Sequence, residues 1–88
     1  MSNSQINDIN LKINSASYLG DFTIKLIFND KTERIVDFKS FLKKSIHPSI
    51  KKYLEESEFK KFNIKDGNLN WNNYDIIFPI WDLYQGDL

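Results

Sequence analysis

Hydrophobic alternation along the chain is sharpest in "FTIKLIF", where Phe22, Ile24, Leu26 and Phe28 fall on one side and Thr23 and Lys25 on the other. A period of two marks a half-buried strand, so this segment is expected to turn those four apolar side chains to a core. A weaker alternation of Ile9, Leu11 and Ile13 in "INDINLKIN" predicts a first strand, and "SASYLGD" reads as the turn that follows it. Asn29, Asp30, Lys31 and Thr32 are turn formers, so "TERIVDF" should return antiparallel, with Val36 and Phe38 inward and Ile35 outward.

The period then changes. "KSFLKKSI" places Phe41 and Leu42 at helical spacing behind Ser40 as a candidate cap, with Ile46 as a third candidate for the stripe. "HPSIKKYLEES" repeats the pattern with Ile50, Tyr53 and Leu54, and Pro48 sits in the first turn, where its missing N–H costs nothing. Two short helices, or one broken at His47-Pro48, are expected. In "KFNIKDGNLNW", Phe62 and Ile64 point inward, Asp66-Gly67 is the favoured two-residue hairpin turn, and Leu69 and Trp71 alternate on the return. "DIIF" reads as a last short strand and "PIWDLYQG" as a terminal helical turn between Pro79 and Gly86, with Ile80, Leu83 and Tyr84 on one side and Trp81 off it. The expected fold is α+β: a small antiparallel sheet of two hairpins plus a short strand, two short helices between the hairpins, and a C-terminal helical turn. A flexible N-terminus over residues 1–5 precedes a single domain over 6–88.

Composition narrows the function classes. With 88 residues, 41% of them apolar and 15% aromatic, the chain can build one core. The absence of cysteine excludes a disulfide framework and thiolate chemistry, which is compatible with a reducing compartment. No apolar run approaches the ~18 residues of a membrane span, and "MSNSQINDIN" lacks the basic start and apolar middle of a signal peptide. A cytoplasmic protein without membrane attachment is therefore expected. Net charge is zero, but residues 31–61 carry nine Lys/Arg against five Asp/Glu, and residues 62–88 one Lys against four Asp. Charge is dipolar along the chain, an imbalance that a solvated helical face explains for the most part.

Element order and particular residues together resemble the bacterial family of the domain of unknown function 2442. The matching pieces are "FNDKTERIVDF", "EFKKFNIKDGNLNW" and "DIIFPIWDLY", spread over roughly Ile9 to Tyr84. The sequence departs from the family pattern at Lys31, where a turn glycine is common, and at Asn73-Tyr74, where no glycine follows the tryptophan. The resemblance implies a small α+β domain without an established enzymatic activity. Some similar proteins carry a helix-turn-helix domain after this one. Others are encoded beside a second small protein, in an arrangement like a toxin–antitoxin pair.

The residues supply little for catalysis. His47 is the single imidazole, flanked by Ser45 and Ser49, and no further triad member is visible. Gly20, Gly67 and Gly86 form no phosphate-cradling loop, and Glu55, Glu56 and Glu58 read as a solvated helical face. Asp75, Asp82 and Asp87 match no calcium-loop spacing. No enzymatic activity, cofactor or metal is expected. Nucleic-acid binding could be built from Lys43, Lys44, Lys51, Lys52, Lys60 and Lys61, with Lys39 nearby, but interleaved acids and zero net charge argue against it. A protein-interaction module is the preferred expectation, antitoxin-like or regulatory, with Tyr74, Asp75, Trp81 and Asp82 as its partner face. Trp81 carries that reading, because tryptophan is enriched at binding hot spots and this one lies off the apolar stripe. The same tryptophan beside a sheet edge makes a homodimer a second expectation.

Overall fold

The computed structural model describes residues 11–72 and 74–86. The predicted flexible stretch 1–5 and Ile9 lie outside the described residues. Three strands, β1 (Ile13–Gly20), β2 (Thr23–Phe28) and β3 (Glu33–Asp37), form an antiparallel sheet in the order β1-β2-β3. Three short helices follow: α1 (Lys39–Lys44), α2 (Pro48–Lys51) and α3 (Glu56–Phe59), with a 3-10 turn at Lys52–Leu54 between the last two. A separate hairpin, β4 (Asn63–Lys65) and β5 (Asn68–Asn70), and a last helix, α4 (Ile80–Gln85), complete the α+β domain.

The alternation in β2 fixes which face of the sheet is covered: Ile24, Leu26 and Phe28 are fully buried. Their partners follow by register, since Ile24 pairs with Tyr18 and Val36, and Leu26 with Ala16 and Arg34. On the other face, Ile35 pairs with Lys25 and is 63% exposed, as its outward position requires. Helices, hairpin and C-terminal segment all contribute to the covered side, where Phe38, Leu42, Tyr53, Phe59, Leu69, Trp71, Ile76, Phe78 and Leu83 are buried.

Several expectations need correction. Residues 6–10 of the expected first strand lie outside the described residues, and the expected turn at "SASYLGD" is not formed: β1 runs from Ile13 through "SASYLG" to Gly20. Pairing with β2 overrides the turn-like composition, because Ala16 and Tyr18 gain inward neighbours while the small Ser15 and Ser17 sit on the open face. The turn is instead the two-residue Asp21-Phe22, with φ of 52° and 61°, so Phe22 leaves the strand face and its ring packs on Phe59 at 5.2 Å. Ser40 is no cap: Phe38 occupies that position, and Asp37 Oδ1 accepts the Lys39 N–H at 2.9 Å. Ile46 lies beyond α1 and is 84% exposed. Ile64, opposite Leu69, stays at the rim, and "DIIF" is no strand but a single bridge between Ile76 and Trp71.

Tight turns carry the connections. Asp66 and Gly67 have φ of 54° and 78°, the left-handed pair that a type I′ hairpin requires. The same turn docks onto the start of β1, where the Ile13 N–H donates to the Gly67 carbonyl at 2.8 Å. A Cβ at position 67 would lie 2.7 Å from Cγ and 2.9 Å from Cβ of Lys12. Gly67→Ala is therefore expected to destabilise the domain by about 1–2 kcal/mol from left-handed backbone alone, with the Lys12 clash adding to it. A lowered urea midpoint with unchanged slope checks this; an unchanged midpoint would contradict it. Lys31, at the expected glycine position, adopts φ 74° behind a turn closed by its N–H on the Phe28 carbonyl at 2.9 Å. A lysine therefore occupies a position that glycine fills without strain.

Candidate protein-interaction surface

The loop that carries Tyr74 and Asp75 grows out of a buried anchor. Trp71, at the end of β5, is fully buried and donates its Nε1–H to the Phe59 carbonyl at 2.7 Å. Its indole packs against Phe38, Phe59, Phe62 and Phe78 with ring centroids 5.5–6.1 Å apart. One residue earlier, the buried Asn70 makes the loop possible. Its Nδ2 donates to the Asn72 carbonyl at 3.1 Å, and its Oδ1 accepts the Tyr74 N–H at 2.9 Å. The Asp75 N–H returns to the Trp71 carbonyl at 2.9 Å.

That bracing holds Tyr74 at φ 67°, in a region a bulky residue rarely occupies and which costs ~1–2 kcal/mol. The phenol ring is 46% exposed, and Lys65 Nζ lies 4.5 Å from its centroid. Asp75 is differently disposed. Its Oδ2 accepts hydrogen bonds from the Tyr53 hydroxyl at 2.9 Å, Asn72 Nδ2 at 3.2 Å and Lys52 Nζ at 3.0 Å. The carboxylate is thus turned to its own fold, and any share it has in a partner face passes through its hold on the loop that presents Tyr74.

These contacts set the acid–base behaviour. Hydrogen bonds from Asn72, Lys52 and Tyr53 hold the Asp75 carboxyl below its ordinary value. Burial first, and the Asp75 carboxylate second, push the Tyr53 phenol up to about 12. Asp30 is likewise lowered, first by the Tyr84 hydroxyl and then by the Thr32 N–H. Both carboxyls have folded values depressed below unfolded ones, so their contribution is present above pH ~4 and is lost as pH falls through the folded values. Tyr53 has the opposite sign: its contribution is complete below pH ~10, the unfolded phenol value, and is lost as pH rises toward about 12. Unfolding free energy against pH should therefore fall at both extremes. Asp75→Asn should flatten the acid limb and Tyr53→Phe the alkaline one; unchanged limbs in both variants would contradict the network.

Trp81 and Asp82 stand on α4. Pro79 precedes the helix, and Gly86 closes it in the left-handed conformation at φ 74°. Leu83 is buried, and Ile80 and Tyr84 are half-buried against the core, so the inward stripe is the one expected. Tyr84 clamps the helix to the β2–β3 turn: its hydroxyl donates to Asp30 Oδ2 at 2.6 Å, and Arg34 Nε donates to its carbonyl at 2.6 Å. Trp81 has no such tie among the described residues. Its ring meets Tyr84 edge-on at 5.4 Å and remains 41% exposed, with Asp82 exposed beside it. Among the described residues no hydrogen bond, ion pair or ring contact joins Tyr74 and Asp75 to Trp81 and Asp82, so the proposed face comprises two separately anchored pieces. Asp87 lies outside the described residues.

The lysines of the nucleic-acid alternative are spread over α1 to α3. Lys43, Lys44, Lys51 and Lys60 are exposed, whereas Lys52 pairs with Asp75 at 3.0 Å and Lys61 with Glu58 at 3.1 Å. Ser45 Oγ accepts the backbone N–H of His47 at 3.2 Å. This bond braces the link between α1 and α2 and involves the backbone of His47, not its imidazole. Residues that sequence patterns passed over include Asn70, Tyr53, Arg34 and Tyr84 as clamps; Asn70 falls between the inward Leu69 and Trp71, so alternation reads it as outward, and its burial is visible only in the fold. No described helix is long and apolar enough to cross a membrane.

Sheet, hairpin and clamped C-terminal helix define a small single α+β domain. The chain belongs to the family described as protein of unknown function (DUF2442), whose model matches residues 13–88. Neither the curated proteins nor the solved structures searched gave a significant match.

Proposed function

We propose that this domain is a non-enzymatic protein-interaction module that uses Trp81 as its principal contact, with Tyr74 as a second. The observation that carries the reading is the disposition of α4: Leu83 is buried, Ile80 is half-buried and Tyr84 is clamped through Asp30 and Arg34, while Trp81 is 41% exposed and makes no hydrogen bond among the described residues. A half-exposed tryptophan on a helix fixed by a network is pre-organised for binding, since little freedom remains to be lost on association. Tyr74 supports it by a different route. An exposed tyrosine held in a strained backbone conformation points from strain toward function, because a glycine would serve the loop with less cost.

The specific form proposed is a cytoplasmic antitoxin-like or regulatory partner of another small protein, which rests on resemblance to family members encoded in such pairs. Co-expression tests it: relief of growth inhibition caused by the neighbouring gene product is expected, and persistent inhibition would exclude the antitoxin form. Self-association through the same tryptophan is the other use of this surface. A homodimer is expected in sedimentation across a wide concentration range, weakened by Trp81→Ala. A monomeric mass throughout would exclude the dimer and reserve Trp81 for a foreign partner.

A further inference from the structure

A second surface, separate from Trp81, lies between α1 and α2. Helix α1 ends at Lys44; Ser45 and His47 are extended, with ψ of 139° and 123°, before Pro48 starts α2. The link opens a groove of about 440 Å³ lined by Phe41, Lys44, Ser45, Ile46, His47 and Ile50. Its volume falls within the ~300–1,000 Å³ range of ligand pockets. Phe41 and Ile50 form a supported floor, half-buried against the core, with the Phe41 ring 4.8 Å from Phe78. Ile46 stands at the side, 84% exposed, the most exposed of the large apolar side chains described.

Charge around the groove has one sign. From Lys39 to Leu54 the chain carries five lysines and no acid. Two of the five are matched within the fold, Lys39 by Asp21 and Lys52 by Asp75. Lys43, Lys44 and Lys51 are exposed and make no ion pair among the described residues. An occupant must therefore offer apolar side chains to Phe41, Ile46 and Ile50 and carboxylates to the lysines.

We infer that this groove binds an acidic, amphipathic segment of a foreign protein partner, with an apolar side chain seated between Phe41, Ile46 and Ile50. Nucleic acid fits less well: phosphates would satisfy the lysines, but base stacking needs open aromatic faces, and the groove offers a Phe41 half-buried in its floor and the small ring of His47 beside two isoleucines. A second copy of this chain has five acids held within the fold, Asp21, Asp75, Asp30, Glu33 and Glu58, but exposed ones in Glu55 and Asp82; self-association weakened by Ile46→Asp would overturn the inference in favour of that occupant. The inference stands on residues other than Trp81 and survives or fails independently of that face.

The test is a titration of the full chain, followed by NMR, with a synthetic amphipathic peptide that repeats leucine at helical spacing among glutamates. Two further probes are the same peptide with serine for leucine and a single-stranded oligothymidylate. Shifts concentrated at residues 41–50 are expected with the leucine peptide, and much weaker binding with the serine version. Ile46→Asp and Lys44→Glu should each weaken binding by about tenfold or more, while Trp81→Ala leaves it unchanged. Both groove positions are exposed, so unfolding midpoints should stay at the wild-type value; Ile46→Ser replaces the aspartate variant where they do not. Absence of shifts at residues 41–50 would overturn the inference. So would oligothymidylate binding tighter than the peptide and indifferent to Ile46→Asp, an outcome that assigns the lysines to nucleic acid.

Discussion

Trp71→Ala is expected to destabilise the domain by about 3–5 kcal/mol, the range for truncating a large buried aromatic. A small domain has about 5–15 kcal/mol in total, so the variant should be largely unfolded under mild denaturant. The size of the effect follows from position: Trp71 is fully buried, touches rings from β3's end, α3 and the C-terminal segment, and hydrogen-bonds the Phe59 carbonyl. Trp71→Phe separates the two contributions. It keeps most of the apolar contact but leaves the Phe59 carbonyl unpaired, a loss of about 1–3 kcal/mol. Chemical unfolding followed by far-ultraviolet circular dichroism measures both, and a near-native midpoint for Trp71→Ala would contradict the placement of this side chain in the core.

Trp81→Ala should behave in the opposite way. Among the described residues its ring contacts no aromatic but Tyr84, and 41% of the residue is exposed, so the unfolding midpoint should move little. Binding should suffer instead. Covering roughly 100 Å² of exposed indole at ~25 cal/mol per Å² is worth about 2.5 kcal/mol before ordering costs, on the order of a fiftyfold change in affinity. The two tryptophans, ten positions apart, thus separate stability from recognition. A Trp81→Ala variant that unfolds as readily as Trp71→Ala would place Trp81 in the core and remove the proposed contact.

The contrast between these tryptophans was readable from spacing. Trp71 falls in phase with Leu69 on an alternating strand, and Trp81 falls out of phase with Ile80, Leu83 and Tyr84 on a helix. The Asp66-Gly67 turn was readable too, because its two left-handed positions demand residues of that kind. What composition concealed has common physical causes. "SASYLG" looks like a turn, yet tertiary pairing with β2 makes it a strand. Phe22, Lys31 and Tyr74 hold left-handed backbone that no residue preference announces; surrounding contacts impose it. Ile46 shared a helical phase with Phe41 and Leu42, but α1 stops at Lys44, so the phase no longer determines where it points. Asp75, expected on the partner face and also readable as a brace of its loop, is the acceptor of three hydrogen bonds; Asn72 is local, but Tyr53 and Lys52 come from an element whose meeting with the loop only the fold reveals.

The interaction reading is tested most directly by the affinity of the purified domain for the purified product of the neighbouring gene, measured by calorimetry for wild type and Trp81→Ala side by side. A complex with the wild type is expected, with an affinity loss on the order of fiftyfold for Trp81→Ala at an unchanged unfolding midpoint. Equal affinity of the two proteins, or no complex with the wild type, would contradict it.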